Sequence, residues 1–453
     1  LQSGRRTRAA SSYDRGFHDE EAKAMRKLWW LAALVGMIVL AGCHNGGHAQ
    51  NSTDMRAVNA VIDSDPLDVV VAGDTKFTGL TYGSTSQFAE FSAGSQEVTV
   101  RSTPTQAILF DKTLGFNEGA NTTLFIYGSR TSMTAQLLND DITSPDTPPA
   151  SGNFKIRALG ASADSGPVDL YVTPSGDISN AGATVSAVSL SAVSAYAELP
   201  AGTEVLTFTI AGTKDVLFQS APTALAAGNA YAVAVLPSGG GKLANALLLV
   251  QGTNGTGTLL SNPSGRIKAV NAVPDSSQFN FLADGTALLS SVPFAGASSY
   301  VPLAAGTRTL QLEPSNVPGS IAASTPLQVG AARDYTVAAV NDLSNVQLVA
   351  LTDDNTLPAA GFAKMRFANA LVGSAGADVL VNFAAQASGL AYKSASSYYT
   401  FAPATNYTIT FDTPGGVSVI STLTPVELDA GGVYTAWLMG TASAPRILLV
   451  RDR

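Results

Sequence analysis

The chain has 453 residues, a formal net charge of −8, and 13% charged against 45% hydrophobic residues. That balance excludes a disordered chain, and the length excludes one ordinary domain and leaves room for about three or four. From Cys43 onward 19 basic residues face 30 acidic ones, which excludes a surface built to neutralise nucleic-acid phosphates.

Residues 1–24 are polar and mixed in charge, and read as a non-native extension upstream of a translation start at Met25. Arg26 and Lys27 then precede the apolar run Leu28–Ala41. A bilayer span needs about 20 apolar residues, so this run is too short to cross comfortably and has the length of a signal-peptide core. Leu40, Ala41, Gly42 and Cys43 resemble the bacterial lipobox. The resemblance implies residues 25–42 as a cleaved signal, a diacylglycerol on the Cys43 thiol and a membrane as partner through that lipid. The alternative is an ordinary signal peptide that contains a cysteine. His44, where Asp would imply inner-membrane retention, implies the outer membrane. Residues 43–54 lack hydrophobic periodicity and read as a flexible tether reaching about 20 Å.

Four copies of one unit follow. Their openings are Met55–Val61, Ile156–Ser162, Ile267–Val273 and Met365–Leu371. Each carries a base, Arg56, Arg157, Lys268 or Arg366, and twelve positions later comes Asp68, Asp169, Asn280 or Asp378. An aromatic follows at Phe88, Tyr196, Tyr300 and Tyr398, and six positions after it stands Gly94, Gly202, Gly306 or Ala404. Copy two has a seven-residue insertion, placed around Thr173–Ala183. Late in the copies a turn glycine precedes Tyr231, Tyr335 and Tyr434, where copy one has Thr122 or Thr123. This resembles the tyrosine corner of immunoglobulin-like sandwiches, in which the hydroxyl ties down a backbone group.

Short strand-like runs between turn signals predict an all-β chain of four tandem immunoglobulin-like β-sandwiches. In copy one the predicted strands are the opening run, Leu67–Val71, Phe77–Leu80, Gln87–Phe91, Glu97–Arg101, Thr123–Tyr127 and Thr134–Leu138. The expected domains span 55–143, 153–252, 265–352 and 362–453, joined by turn-rich linkers into a semi-flexible string. The openings, the Asp-Ser turn at Asp275 and Ser276, the strand at Leu67–Val69 and the Ala-Gly corner together resemble the bacterial family called domain of unknown function 4397. The resemblance covers residues 55–453 and implies an immunoglobulin-like fold on exported, often surface-anchored proteins, with no established activity. Copy two departs from its pattern at Gly160, and copy four has Gly373 where the others have Asp.

The histidines are His18, His44 and His48, and Cys43 is the lone cysteine. Ser-His-Asp, Cys-His and imidazole or thiolate metal sites therefore cannot be assembled in the repeats. No catalytic residue and no cofactor is expected. The Arg56/Asp68 type of pair reads as a cross-strand ion pair or turn-capping contact rather than a ligand clamp. Asp63, Asp164 and Asp275 share a turn position and, with Asp140, Asp141, Asp353 and Asp354, offer oxygen ligands for Ca²⁺; the alternative is Asx turns and solvated loops. The function expected is a non-enzymatic envelope scaffold, spacer or adhesin-like protein. The alternative is a glycan binder using exposed tyrosines among Tyr82, Tyr171, Tyr392, Tyr398 and Tyr399. The partner is accordingly an unidentified protein or glycan.

Overall fold

A computed structural model describes residues 51–140, 148–252 and 255–453. The signal, Cys43 and the upstream extension lie outside the described residues, as does Asp141. Among the described residues every extended element is a strand, apart from one 3-10 turn at Leu343–Asn345. No helix there is long and apolar enough to cross a membrane.

The opening strand Ser52–Asn59 lies inside a mixed sheet. It runs antiparallel to Ala89–Ser92 on one side and parallel to Asn121–Ser129 on the other, and Ser132–Asn139 completes the sheet. A second sheet orders Asp74–Leu80, Leu67–Val71, Gly94–Ser102 and Ile108–Phe116. The strand Ile108–Phe116 was not among those expected from the sequence. It sits at the sheet edge with most side chains in solvent, so its apolar alternation is weak. The same parallel pairing recurs between Asn153–Gly160 and Ala230–Pro237, Ser264–Asn271 and Asp334–Val340, and Ala363–Leu371 and Val433–Thr441. The glycine or alanine six places after each aromatic begins the strand Gly94–Ser102, Gly202–Ile210, Gly306–Pro314 or Ala404–Asp412.

Strand alternation sends side chains to opposite faces. Met55, Ala57, Leu124 and Ile126 face Val69, Val98 and Val100 of the second sheet and form the core of copy one. Equivalent clusters fill the other three pairs of sheets. The opposite faces are apolar as well, and they meet one another. Val58, Phe125 and Tyr127 pack against Leu159, Ala234, Leu236 and Leu247, joining copies one and two. Val270, Ala338 and Val340 pack against Ala368, Trp437 and Met439, joining copies three and four. Ala230–Pro237 and Ala363–Leu371 are consequently buried along their whole length.

The expectation of a semi-flexible string therefore gives way to face-to-face pairs. The linker composition suggested freedom, but a sheet apolar on both faces has to be covered on both. The pairs also touch: Arg333 Nη1 donates to Gly239 O at 2.6 Å, and Arg453 pairs with Asp164 at 3.7 Å.

Copy two keeps the plan with two local changes. Its insertion forms the loop between Val168–Thr173 and Val185–Val188, tied by Lys214 Nζ donating to Ile178 O and Ala181 O, each at 2.6 Å. Gly160 stands where the others have asparagine because the chain at Ser189 passes close by; a Cβ there would lie 2.0 Å from Ser189 O. In the other copies Asn59, Asn271 and Asn369 use the same place to donate to Leu80 O, Val292 O and Leu390 O.

Candidate functional site

The parallel register sets each repeated base beside a fixed neighbour: Arg56 opposite Thr123, Arg157 opposite Ala232, Lys268 opposite Thr336, Arg366 opposite Thr435. These bases point away from their own core, toward the partner copy. Each also lies over the repeated aromatic. Arg56 is 5.0 Å from the Phe88 ring, Arg157 4.8 Å from Tyr196, Lys268 4.9 Å from Tyr300 and Arg366 5.0 Å from Tyr398, within reach of the ring quadrupole.

The carboxylates that meet them come from the ends of the last strands. Arg56 pairs with Asp140 at 3.0 Å, and both side chains are wholly buried. Thr123 Oγ1 accepts from Arg56 Nε at 2.8 Å and donates to Asp140 at 2.5 Å. Gln251 of copy two donates to the other Asp140 oxygen at 2.7 Å and accepts from the Tyr196 hydroxyl. Arg157 donates to Asn139 O at 2.6 Å. The node thus links copy one to copy two.

Copies three and four exchange partners outright. Lys268 of copy three pairs with Asp452 of copy four, and Arg366 of copy four pairs with Asp353 of copy three. Thr336 and Thr435 donate to Asp353 and Asp452 at 2.7 and 2.6 Å. Tyr300 also donates to Asp353, at 2.5 Å. Burial pushes the Asp140 and Asp452 carboxyls up, against the pull of Arg56 and Lys268 respectively. Burial lowers Arg56, with one carboxylate opposing it. Arg366 is raised, because Asp353 first, then Tyr398 and Asp452, outweigh the burial that would lower it.

The pairs expected from the twelve-residue spacing do not meet. Arg56/Asp68, Arg157/Asp169, Lys268/Asn280 and Arg366/Asp378 divide between two sheets, and each acid or amide closes loops of its own sheet. Asp68 accepts from Gly79 N, Thr103 and Gln106. Asp169 accepts from Ala187 N and Gly212 N, and Asp378 from Gly389 N and Gly415 N. Asn280 accepts from Ser291 N and donates to Glu313. Those bonds hold the Asp378 carboxyl below its ordinary value, the Gly389 N–H most strongly. The true partners, Asp140, Asp353 and Asp452, each lie seventeen residues after a node threonine. That spacing was available in the sequence as a second register.

The corner tyrosines occupy one site. The hydroxyls of Tyr231, Tyr335 and Tyr434 accept from Ala226 N, Gly330 N and Asp429 N at 2.9, 3.0 and 3.0 Å. Copy one has Thr122 in that register, and it donates to Asp54 O instead. Asp63 and Asp275 accept from Arg130 N and Leu343 N, while Asp164 accepts from Leu357 N. Asp140 and Asp353 are spent on Arg56 and Arg366. Among the described residues no three His, Cys, Asp or Glu side chains gather to hold a metal ion. Tyr171 is buried and Tyr82, Tyr392, Tyr398 and Tyr399 are partly buried, so none stands exposed as a stacking platform. Tyr82 and Tyr392 donate to Pro237 O and Asn341.

No curated protein matches the chain. One solved structure, described as the product complex of a multi-modular glycogen-degrading pneumococcal virulence factor SpuA, is similar at 8% identity with a TM-score of 0.16. The match covers 60% of this chain and 37% of that one, a likeness too slight to carry an argument. A family model described as domain of unknown function (DUF4397) matches residues 53–171, 265–372 and 363–453. Those segments hold the opening strands, bases and carboxylates of copies one, three and four, and the chain belongs to the DUF4397 family.

Proposed function

We propose that the protein is a non-catalytic lipoprotein of the bacterial outer membrane, held through Cys43, that serves as a stiff interaction scaffold. One observation carries the reading: the charged groups kept from copy to copy are consumed inside the molecule. Arg56, Asp140, Lys268, Asp452, Arg366 and Asp353 are buried and paired. Ionisable groups used for chemistry need access to a substrate and freedom to exchange partners, and the side chains of these are at most 3% exposed and already paired. What they do instead is fix how neighbouring sandwiches meet. A buried ion pair is a weak source of net stability, and its best-attested use is to specify one register among alternatives. A rigid set of sandwiches presents its outer loops in one fixed mutual arrangement.

Metabolic labelling with palmitate, followed by protease treatment of intact cells, tests the reading. The expected result is label on the wild-type protein, none on Cys43→Ser, and repeats accessible from outside or after outer-membrane permeabilisation. A mature protein recovered soluble with an unmodified start would overturn it.

A further inference from the structure

A cleft of about 1010 Å³ opens where copies two, three and four adjoin. Six cations line it, Lys214, Lys242, Arg266, Lys268, Arg451 and Arg453, against the two carboxylates Asp215 and Asp452. In a chain of net charge −8 this concentration of positive groups runs against the molecule's own balance. Five of the six are engaged. Arg266 holds Asp334 in a two-pronged contact at 2.8 and 2.6 Å, Lys268 holds Asp452, and Arg451 holds Asp429. Arg453 pairs with Asp164 and, like Lys214, donates to backbone carbonyls.

Lys242 differs. It is partly buried, and among the described residues it has neither a hydrogen-bond acceptor nor an ion-pair partner. Burial and then the repulsion of Arg266 hold its ammonium below the ordinary 10.5, with Arg453 adding to that repulsion and Asp215 and Asp334 opposing it. The loop that carries it is pinned. Ser238 Oγ donates to Leu243 O at 2.7 Å, and Gly239 O accepts from Arg333. Gly240 and Gly241 press on copy three: a Cβ at Gly240 would lie 2.4 Å from Ala332 O, and one at Gly241, where φ is +138°, 2.7 Å from Asn355 Cβ. The backbone that carries the lysine is thus set in place before anything binds.

A lysine that no carboxylate touches, in a cleft where Asp215 and Asp334 act on it only from a distance, is a place for an anion to bind. A phosphate, with roughly −1.5 to −2 charges and three acceptor oxygens, answers a lysine that has two arginines close by better than a single carboxylate does. The cleft is far larger than one phosphate needs and reaches the upper range of small-molecule sites. Tyr300, Pro302, Gln219 and Leu217 supply mixed walls for the rest of a ligand. We propose that this cleft binds a phosphate-bearing molecule, free or a lipid headgroup, with the phosphate on Lys242 between Arg266 and Arg453. The proposal goes beyond the scaffold reading and does not depend on lipid anchoring.

Titration calorimetry on the full chain at low ionic strength, with inorganic phosphate, pyrophosphate and glucose 6-phosphate, tests one source. Sedimentation with phosphatidylglycerol vesicles, against phosphatidylcholine vesicles, tests the other. Saturable single-site binding is expected in one arm, and the arm that responds names the source. Lys242→Gln should weaken it about tenfold or more, as loss of a charge-assisted contact does. Lys242→Arg should retain most of the binding, and Lys112→Gln, in the distant strand Ile108–Phe116, should change nothing. Because Lys242 bonds no neighbour, the thermal midpoint of Lys242→Gln should match the wild type, which separates lost binding from lost fold. No saturable binding in either arm, or equal binding by wild type and Lys242→Gln, would overturn the proposal.

Discussion

Arg56 is fully buried and has one carboxylate to face. Removing that carboxylate strands the guanidinium in an apolar seam, where desolvation is no longer answered. Asp140→Ala should therefore cost about 3–5 kcal/mol in denaturant unfolding. The double change Arg56→Met with Asp140→Leu should cost less than the single one, because it leaves no orphan charge. A single variant as stable as wild type would mean that water reaches the node. Asp378 poses a different case. Two backbone N–H groups hold its carboxyl below the ordinary 3.8. A depressed folded value means that its stabilisation is present above the unfolded pKa and is lost as pH falls through the folded one. Asp378→Asn should thus have a lower thermal midpoint than wild type at neutral pH, and the gap should close as the pH drops below the carboxylate range. A gap independent of pH would assign the loss to packing rather than charge.

At the scale of the element, the corner tyrosines give the cleanest single-atom test. Tyr434 is buried, and its hydroxyl satisfies Asp429 N. Tyr434→Phe keeps the ring and should cost about 1 kcal/mol, the net worth of one such bond, with the strand Val433–Thr441 otherwise unchanged. These tyrosines were legible in the sequence because a turn glycine and a strand start are local signals. The opening strands were legible for the same reason, and so was the base at its second position. The destination of that base was not. A twelve-residue spacing put Asp68 near Arg56 along the chain, but the two residues fall in different sheets. The actual partner, Asp140, lies beyond the whole sandwich, and in copies three and four the partner belongs to the neighbouring copy. Local spacing carries information about a strand's own faces, not about which other sheet covers them. The near-continuous apolar runs at Ala230–Val235 and Val433–Met439 were the overlooked sign, since a strand solvated on one face alternates and these do not.

At the scale of the molecule, the paired faces make each sandwich part of its neighbour's core. Val340 in copy three is 1% exposed and sits in the cluster that holds Trp437 and Met439 of copy four. A carboxylate placed there would be buried without a partner, and the two sheets have to separate to hydrate it. Separation exposes Trp437, Met439 and Ala368 at once, so the loss falls on both copies. Hydrogen exchange on Val340→Asp should therefore speed up in Val433–Thr441 as well as in Asp334–Val340. The strands Ser52–Asn59 and Ala230–Pro237 belong to the other shared cluster and should keep their protection. Faster exchange confined to copy three would show that the copies fold independently and only touch. Acceleration in copies three and four together, with copies one and two quiet, would identify the face-to-face pair as the unit that opens and closes cooperatively.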